Sequence, residues 1–509
     1  MKVNKNIIKI AKQYPKISNM GYNLLKRYWS LKANFVDYDF PDNALQASIP
    51  KELALEYNKN RPYGPKKKIC YAPFNNLHFQ INGNVSACSF NYDFIIGNVN
   101  ENTIKEIWTG EKAQVFRDKL GNYNFELCKS CEHVLTAKNF NSFPPLKYDM
   151  YADDDINYPN QMSFEMSDLC NFECVMCSEN FSSLIRKRKG FAPQKFSYPE
   201  RFFTELQEFL PHLKMATFIG GEPLLIKAYF RIWEDILKVN NKCTIHIQTN
   251  ASYLPPRFLE MLESGQFDVG ISLDATEKET FEKIRINSNF KDIIENIIIL
   301  KSYMDKNKVN LNLNFCPLTQ NWQDIPKIVQ YANNLNIPLK IVNVENPRNL
   351  SLQHRNPSFL AQTISYLEIN TNFNPNGIIQ EKNVQSYKQY IGQLKYLQKS
   401  AIEREKYYSE NYLEISDKFR ELFKTSNLFN NFNIEQRNEL QNNIISYIDE
   451  LITENEHLKI RTIFRVYYAL FRFKHTNNGD ASTNFEYGQN ILKEVVKEFY
   501  LLEKDELND

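Results

Sequence analysis

Nine cysteines stand among the 509 residues, and seven of them fall into two tight groups. Cys170, Cys174 and Cys177 form a C-x3-C-x2-C run within Met166–Cys177 (MSDLCNFECVMC). Three thiolates on one short loop can each take one iron of a four-iron cubane and leave the fourth iron open to a substrate or cofactor. Zinc on the same loop would need a fourth ligand, and the next histidine downstream is only His212. The second group sets Cys70 and Cys88, in a C-x12-G-x4-C arrangement around Gly83, beside the C-x2-C pair Cys128 and Cys131. Four thiolates in two separated pairs suit a fully ligated four-iron cluster or a tetrahedral zinc, and spacing does not separate the two. In a reducing compartment such grouping reads as ligation before disulfides.

The three-cysteine loop follows a strand-like segment, so its place depends on that strand and its successors. Strands are expected at Met162–Leu169, Met215–Ile219, Thr244–Thr249, Val269–Leu273, Val309–Cys316 and Leu339–Val344. Helical stretches such as Glu200–Leu210, Phe281–Ser302 and Ile325–Asn334 alternate with them. Repeated βα units imply a parallel sheet. A full eight-stranded barrel takes roughly 250 residues, so 161–350 reads as an α/β fold, a partial (β/α)6 TIM-like barrel. Period-two alternation sends Leu311, Leu313 and Phe315 to the helices and Asn312, Asn314 and Cys316 inward. By the same rule Ser163, Glu165 and Ser167 face inward, with Met162, Phe164 and Met166 outward, and the sixth strand places Asn343 and Glu345 inside. So polar an interior is a cavity for a polar substrate; the plainer alternative is a polar ladder satisfied within itself.

Around the barrel the chain divides into 1–67, a helical extension with an amphipathic stretch at Tyr22–Phe35; 68–135, a small α+β unit carrying the second cysteine group; 136–160, a linker; and 351–509, a helical domain. In that last domain NTNFNPNG (370–377) is a loop, and Tyr447–Asn455 and Ile491–Glu503 are helix-periodic. Lys+Arg 62 against Asp+Glu 60 leaves a net charge of +2, which gives no electrostatic case for nucleic acid. Apolar windows such as Ile293–Leu300 fall short of the roughly 20 residues of a membrane span. The opening MKVNKNIIKIAKQYPKI has no apolar h-region, so a cytoplasmic location is expected.

The cysteine loop after a first strand resembles the radical S-adenosylmethionine superfamily, and later strand ends agree with it. Gly220-Gly221-Glu222-Pro223 is similar to the family's GGEP element; Thr249-Asn250, Ser272-Leu273-Asp274 and Arg285 resemble positions that contact the cofactor. The resemblance implies a four-iron cluster on Cys170, Cys174 and Cys177. It implies S-adenosylmethionine held by Gly220, Gly221, Glu222, Pro223, Asn250, Ser272, Asp274 and Arg285, and reduction by a donor such as flavodoxin or ferredoxin. Residues 68–135, with Gly97-Asn98-Val99 and Ile104-Lys105-Glu106-Ile107-Trp108, resemble a twitch or SPASM auxiliary-cluster domain, the one-cluster twitch form more closely. The resemblance puts a second four-iron cluster on Cys70, Cys88, Cys128 and Cys131. In the family this domain usually follows the barrel, whereas here it precedes it.

The implied activity is reductive cleavage of S-adenosylmethionine, then hydrogen abstraction from a peptide or small polar substrate, for oxidation or bond formation. Cys316, inside the barrel, offers a redox-neutral alternative: a thiol that returns a hydrogen atom would invert a stereocentre. A scaffold holding clusters or zinc without turnover is a third reading. The basic run Arg186–Lys189 reads as solvated loop near the cofactor mouth, Phe464–Phe473 as a core helix, Cys243 as structural, and His133 as unneeded beside four cysteines.

Overall fold

The computed structural model describes residues 47–410, apart from 62, 137, 139, 141, 142, 154 and 155, and a few positions between 433 and 446. Tyr22–Phe35, Tyr447–Asn455, Phe464–Phe473 and Ile491–Glu503 lie outside the described residues.

Three short strands come first: β1 (Asn76–Phe79), β2 (Asn84–Ser86) and β3 (Gly97–Asn98). The six βα strands are β4 (Gln161–Phe164), β5 (Met215–Phe218), β6 (Thr244–Thr249), β7 (Gln266–Ser272), β8 (Val309–Phe315) and β9 (Leu339–Ile341). All nine join one sheet in the order β3-β2-β1-β4-β5-β6-β7-β8-β9. β1 lies parallel to β4, and only the β1–β2 and β2–β3 pairs are antiparallel. The architecture is therefore mixed α/β with a mainly parallel sheet, in which the cysteine-bearing N-terminal unit supplies a parallel strand beyond the six expected.

Residue type explains the extra strand. β1 (NLHF), β4 (QMSF) and β5 (MATF) each end in phenylalanine, and the register sets Phe79 beside Phe164 and Phe164 beside Phe218. Their rings stack at 5.3 and 4.8 Å with interplanar angles of 17° and 12°. Two amphipathic helices cover this ladder. Glu200–Phe209 buries Phe202, Phe203, Leu206 and Phe209; Lys227–Val239 buries Tyr229, Phe230, Ile232, Trp233 and Ile236. Such spacing by three and four presents one apolar stripe to the sheet. Phe202 and Trp233 meet Phe79 and Phe218 edge-on.

On the opposite face the polar set turns inward. Leu311, Leu313 and Phe315 of β8 are in the apolar core, while Asn314 donates to Gln248 and Asn312 to the Val269 carbonyl at 3.1 Å. Gln248 in turn donates to Ser272 Oγ at 2.8 Å. Part of the interior is thus a polar ladder bonded within itself. β9 is shorter than expected: Asn343 and Glu345 lie beyond it and are exposed, not inside. Its partner β8 runs out at Phe315, and Pro317 has no N–H with which to extend the ladder. The free edge of β9 is covered by the helix Ile378–Glu410, whose Asn383 accepts from Leu339 N at 2.8 Å and donates to Ile337 O at 2.9 Å.

A second core gathers Tyr57, Ile69, Phe74, Phe116, Phe125, Phe143 and Tyr148 around Cys70, Cys88 and Cys131. The stretch expected as a linker thus packs into this core. Arg61 is the tie: Nε and Nη2 bond Asp149 at 2.9 and 2.8 Å, and Nη1 bonds Asn58 Oδ1 and Lys68 O. Both partners of this ion pair are fully buried, and removing one would strand the other. Arg61→Ala should cost about 3–5 kcal/mol, seen as a lowered thermal midpoint; Arg61→Lys, lacking the planar fork, should recover only part of it.

Candidate active site

The C-terminal ends of β5, β6 and β7 meet the loop after β4 around one cavity of about 1460 Å³. Cys170, Cys174 and Cys177 line it, with Gly220, Gly221, Glu222, Asn250, Ser272 and Arg285. Pro223, Asp274 and Cys316 are not among the lining residues. Arg188 and Lys189 stand at its wall, their charges matched by Glu173 and Glu179.

Backbone contacts fix the loop. Gly221 N donates to Ser167 O at 2.9 Å and Glu222 N to Leu169 O at 2.8 Å. A Cβ on Gly221 would fall against the Leu169 carbonyl, and one on Gly220 would lie 2.8 Å from Ser167 O. Gly220 also holds φ at +111°, a region open chiefly to glycine. Further along, Glu173 N and Val175 N donate to Ile286 O and Ile284 O at 3.0 and 2.9 Å. Asn171 completes the attachment, accepting from Asn250 Nδ2 and donating to Ser252 Oγ, both at 2.9 Å.

The acid of the Gly-Gly-Glu turn is a brace. Glu222 Oε1 accepts from Thr249 Oγ1 at 2.6 Å and Leu224 N at 3.1 Å, and Oε2 accepts from Asn250 N at 2.7 Å. Burial raises its pKa while these bonds pull against the shift. Arg285 is held similarly: Nε and Nη2 reach Asp274 Oδ2 at 2.7 and 2.6 Å, and Nη1 lies 3.6 Å from Cys174 Sγ. Burial works against its charge, but Asp274 and the Cys174 thiol outweigh it and keep Arg285 protonated. Asp274 Oδ1 also accepts from Cys316 N at 2.7 Å, so Asp274 stands behind the cavity wall as the anchor of Arg285. Cys316 lies on this anchor, half-buried.

Burial pushes Cys170 up to about 12 and Cys177 up to about 11. Burial also raises Cys174, against the pull of Arg285. Thiols so placed ionise only beside a cation, which is what a metal cluster supplies. Three thiols on one cavity, a turn too tight for a side chain, and a guanidinium against one sulfur fit a three-thiolate cluster with room for a ligand beside it.

The other four cysteines meet inside the second core. Cys128 and Cys131 share a hydrogen bond, which with burial raises Cys128; burial raises Cys70, and pushes Cys88 up to about 12. Ala72 N donates to Cys70 Sγ at 3.4 Å, Asn91 Nδ2 to Cys128 Sγ at 3.7 Å, and the amides of Phe90 and Asn91 reach Cys88. Amide donors aimed at sulfur favour thiolate ligands. His133 points into solvent, apart from this group.

Asn171, Asn321 and the pair Tyr92–Glu165 were not singled out by spacing. Asn321 donates to Asp274 O at 2.8 Å and Cys316 O at 3.1 Å, and Tyr92 Oη donates to Glu165 Oε2 at 2.9 Å. Only Glu165 had a signal, its inward place in the alternation of β4 and the residues just after it.

Residues 164–332 match the model of the radical SAM superfamily, and residues 70–132 match SPASM, an iron–sulfur cluster-binding domain. The chain therefore carries a radical SAM domain with a SPASM domain N-terminal to it. It is similar to the cysteine-type anaerobic sulfatase-maturating enzyme of Clostridium novyi, 32% identical over 157 residues, covering 28% of this chain and 40% of that one. The GTP 3′,8-cyclase of Saccharophagus degradans is 22% identical over 153 residues, covering 27% of this chain and 45% of that one. The chain thus spans less than half the length of these two relatives. Among solved structures, anSMEcpe with bound AdoMet is 19% identical, with a TM-score of 0.32 over 41% of this chain and 59% of that one. Streptococcus suis SuiB bound to S-adenosylmethionine is 14% identical, with a TM-score of 0.29 over 48% of each chain. Among the described residues no helix is long and apolar enough to cross a membrane.

Gly221→Ala should force the Leu169 carbonyl away at a cost of about 1–3 kcal/mol. After anaerobic reconstitution it should hold less iron than the parent, with the shortfall confined to the three-cysteine site.

Proposed function

We propose that this chain is a radical S-adenosylmethionine enzyme that abstracts hydrogen from a peptide substrate, with an auxiliary cluster beside the reaction site. One observation carries the reading: Cys170, Cys174, Cys177, Gly220, Gly221, Asn250, Ser272 and Arg285 line a single cavity. When bound there, a four-iron cluster and S-adenosylmethionine supply reductive cleavage and a 5′-deoxyadenosyl radical able to remove hydrogen from an unactivated carbon.

The chain's own residues bind and orient. Cys170, Cys174 and Cys177 would hold three irons, and the Gly220–Gly221 backbone lets the cofactor's methionine end come close. Asn250 and Ser272 offer polar groups at the ends of β6 and β7 for the ribose and the methionine end. Arg285, kept charged by Asp274, would pair with the cofactor carboxylate. Cys70, Cys88, Cys128 and Cys131 would hold one further four-iron cluster, giving two in all. A flavodoxin- or ferredoxin-type protein would deliver the electron.

A peptide substrate is supported by the sulfatase-maturating relative, whose name describes action on a protein, and by the cavity itself. Its volume exceeds the roughly 300–1,000 Å³ of an ordinary small-ligand site, leaving room beside the cofactor. Oxidation or bond formation is the outcome favoured. Cys316, the hydrogen donor that a stereocentre inversion would require, is not among the residues lining the cavity.

The triple variant Cys170→Ala, Cys174→Ala, Cys177→Ala should lose about half of about eight irons per chain. It should form no 5′-deoxyadenosine under anaerobic reduction; retained cleavage would refute the assignment. Cys128→Ala should lose about four irons yet still form 5′-deoxyadenosine, because cleavage precedes any transfer to the second site. Loss of cleavage with the fold intact would rule out that order of events.

A further inference from the structure

Beside the main cavity lies a second one of about 440 Å³, lined by Gln80, Asn82, Tyr92, Glu165, Gln194 and Lys195. It lies between the auxiliary hairpin, the end of β4 and the segment leaving the cysteine loop. Phe181 lines both cavities, and Glu165 stands behind Gly220, where a Cβ would lie 3.5 Å from its Cγ. Glu165 therefore stands where the two cavities adjoin.

Its bonding is incomplete. Glu165 is 4% exposed, and Oε2 takes the Tyr92 hydroxyl at 2.9 Å, while Oε1 has no hydrogen-bond partner among the described residues. His78, fully buried on β1, packs edge-on against Tyr92 at 5.6 Å between centroids, with Nε2 3.9 Å from Glu165 Oε2. Neither ring nitrogen of His78 is hydrogen-bonded. Burial pushes the imidazole down to about 3, so it is neutral, and pushes Glu165 up to about 7. Gln194 Oε1 on the cavity wall and both His78 nitrogens behind it are buried without partners. Such groups are costly and uncommon, and beside an open carboxylate oxygen at a cavity they mark a site completed by a ligand. The ligand's charge follows from the surroundings. Lys195 and Arg186 already line the cavity, and Lys147 acts on Glu165 from the auxiliary side, so an added cation would be repelled.

We propose that this second cavity is a substrate subsite in which Glu165, steadied by Tyr92 and His78, accepts a hydrogen bond from an uncharged hydroxyl or amide group of a peptide. The proposal rests on the peptide reading above and names the part of the peptide recognised. Glu165 is then a positioning residue, fixing the substrate between the two cysteine sites.

The probes are the amides of N-acetylthreonine and N-acetylasparagine, with N-acetylvalinamide and N-acetylleucinamide as near-isosteric apolar partners. Binding to the anaerobically reconstituted protein is read by ligand-observed saturation-transfer NMR, which needs no turnover. Measured well above pH 7, where Glu165 is ionised, the parent should prefer threonine over valine, or asparagine over leucine, by about tenfold, the value of one hydrogen bond to a charged acceptor. Whichever pair shows the preference identifies the group as hydroxyl or amide. Glu165→Gln, with unchanged iron content and circular dichroism, should lose most of that preference; Tyr92→Phe should weaken it in the same direction. No preference in the parent, or one untouched by Glu165→Gln, overturns the subsite. Formation of 5′-deoxyadenosine is scored separately. A parent that discriminates the probes but makes no 5′-deoxyadenosine keeps the subsite and refutes the radical reading.

Discussion

The chain leaving β5 lies so close to the loop leaving β4 that no side chain fits between them, and the site depends on that approach. Two backbone hydrogen bonds, donated by Gly221 N to Ser167 O and by Glu222 N to Leu169 O, tie the segments just before Cys170. These backbone bonds hold the base of the loop to the sheet, and side-chain bonds of Ser182, Ser183 and Asn171 hold the rest of it. Glu222 passes the same constraint on to β6 through Thr249 and Asn250, and Asn250 returns it to the cysteine loop through Asn171. The result is a closed ring of bonds around the cavity mouth, in which a loosened member displaces its neighbours.

The donors at both cysteine sites suit sulfur in its thiolate form. Burial leaves the thiols of Cys170, Cys174 and Cys177 at one site and of Cys70 and Cys88 at the other reluctant to ionise. Both sites answer with donors aimed at sulfur, Arg285 at one and backbone amides with Asn91 at the other. Arg285 stays where it is because Asp274, itself without exposure, has no other ion-pair partner among the described residues. The carboxylate commits its second oxygen to the Cys316 amide, tying the end of β8 into the same arrangement. A substituent that neutralised Asp274 would release the guanidinium and the turn after β8 together.

Much of this was legible in the residues. Apolar and alternating runs placed six strands, and the family resemblance of the segments at their ends pointed to Gly220, Asn250 and Ser272, with Arg285 matched at the end of the helix that follows. Alternation placed Asn312 and Asn314 inside. What escaped was non-local. Nothing in spacing says that NLHF, some eighty residues upstream of QMSF, is its neighbour; the shared terminal phenylalanine was the one available clue, and it acts only through register. The alternation was also carried too far along the last strand, since Asn343 and Glu345 lie past its end at Ile341 and have no strand among the described residues beside them to pair with. Asp274 was read as a cofactor contact because its strand end is right, but it is fully buried and spends its charge on Arg285.

The union of β1 with β4 also has a meaning in time. Chains are made from the N-terminus, and N-terminal units generally fold first. The residues of the second core and the Arg61–Asp149 tie all precede Gln161 in the chain, as do β1 and β2. In that order of synthesis β4 would be the first strand able to pair in parallel with β1, Phe164 beside Phe79. The sheet is then laid down in order of synthesis, β4 to β9, each new strand pairing with the one before it. A unit that would close the sheet if it came last becomes, by coming first, the template on which it grows.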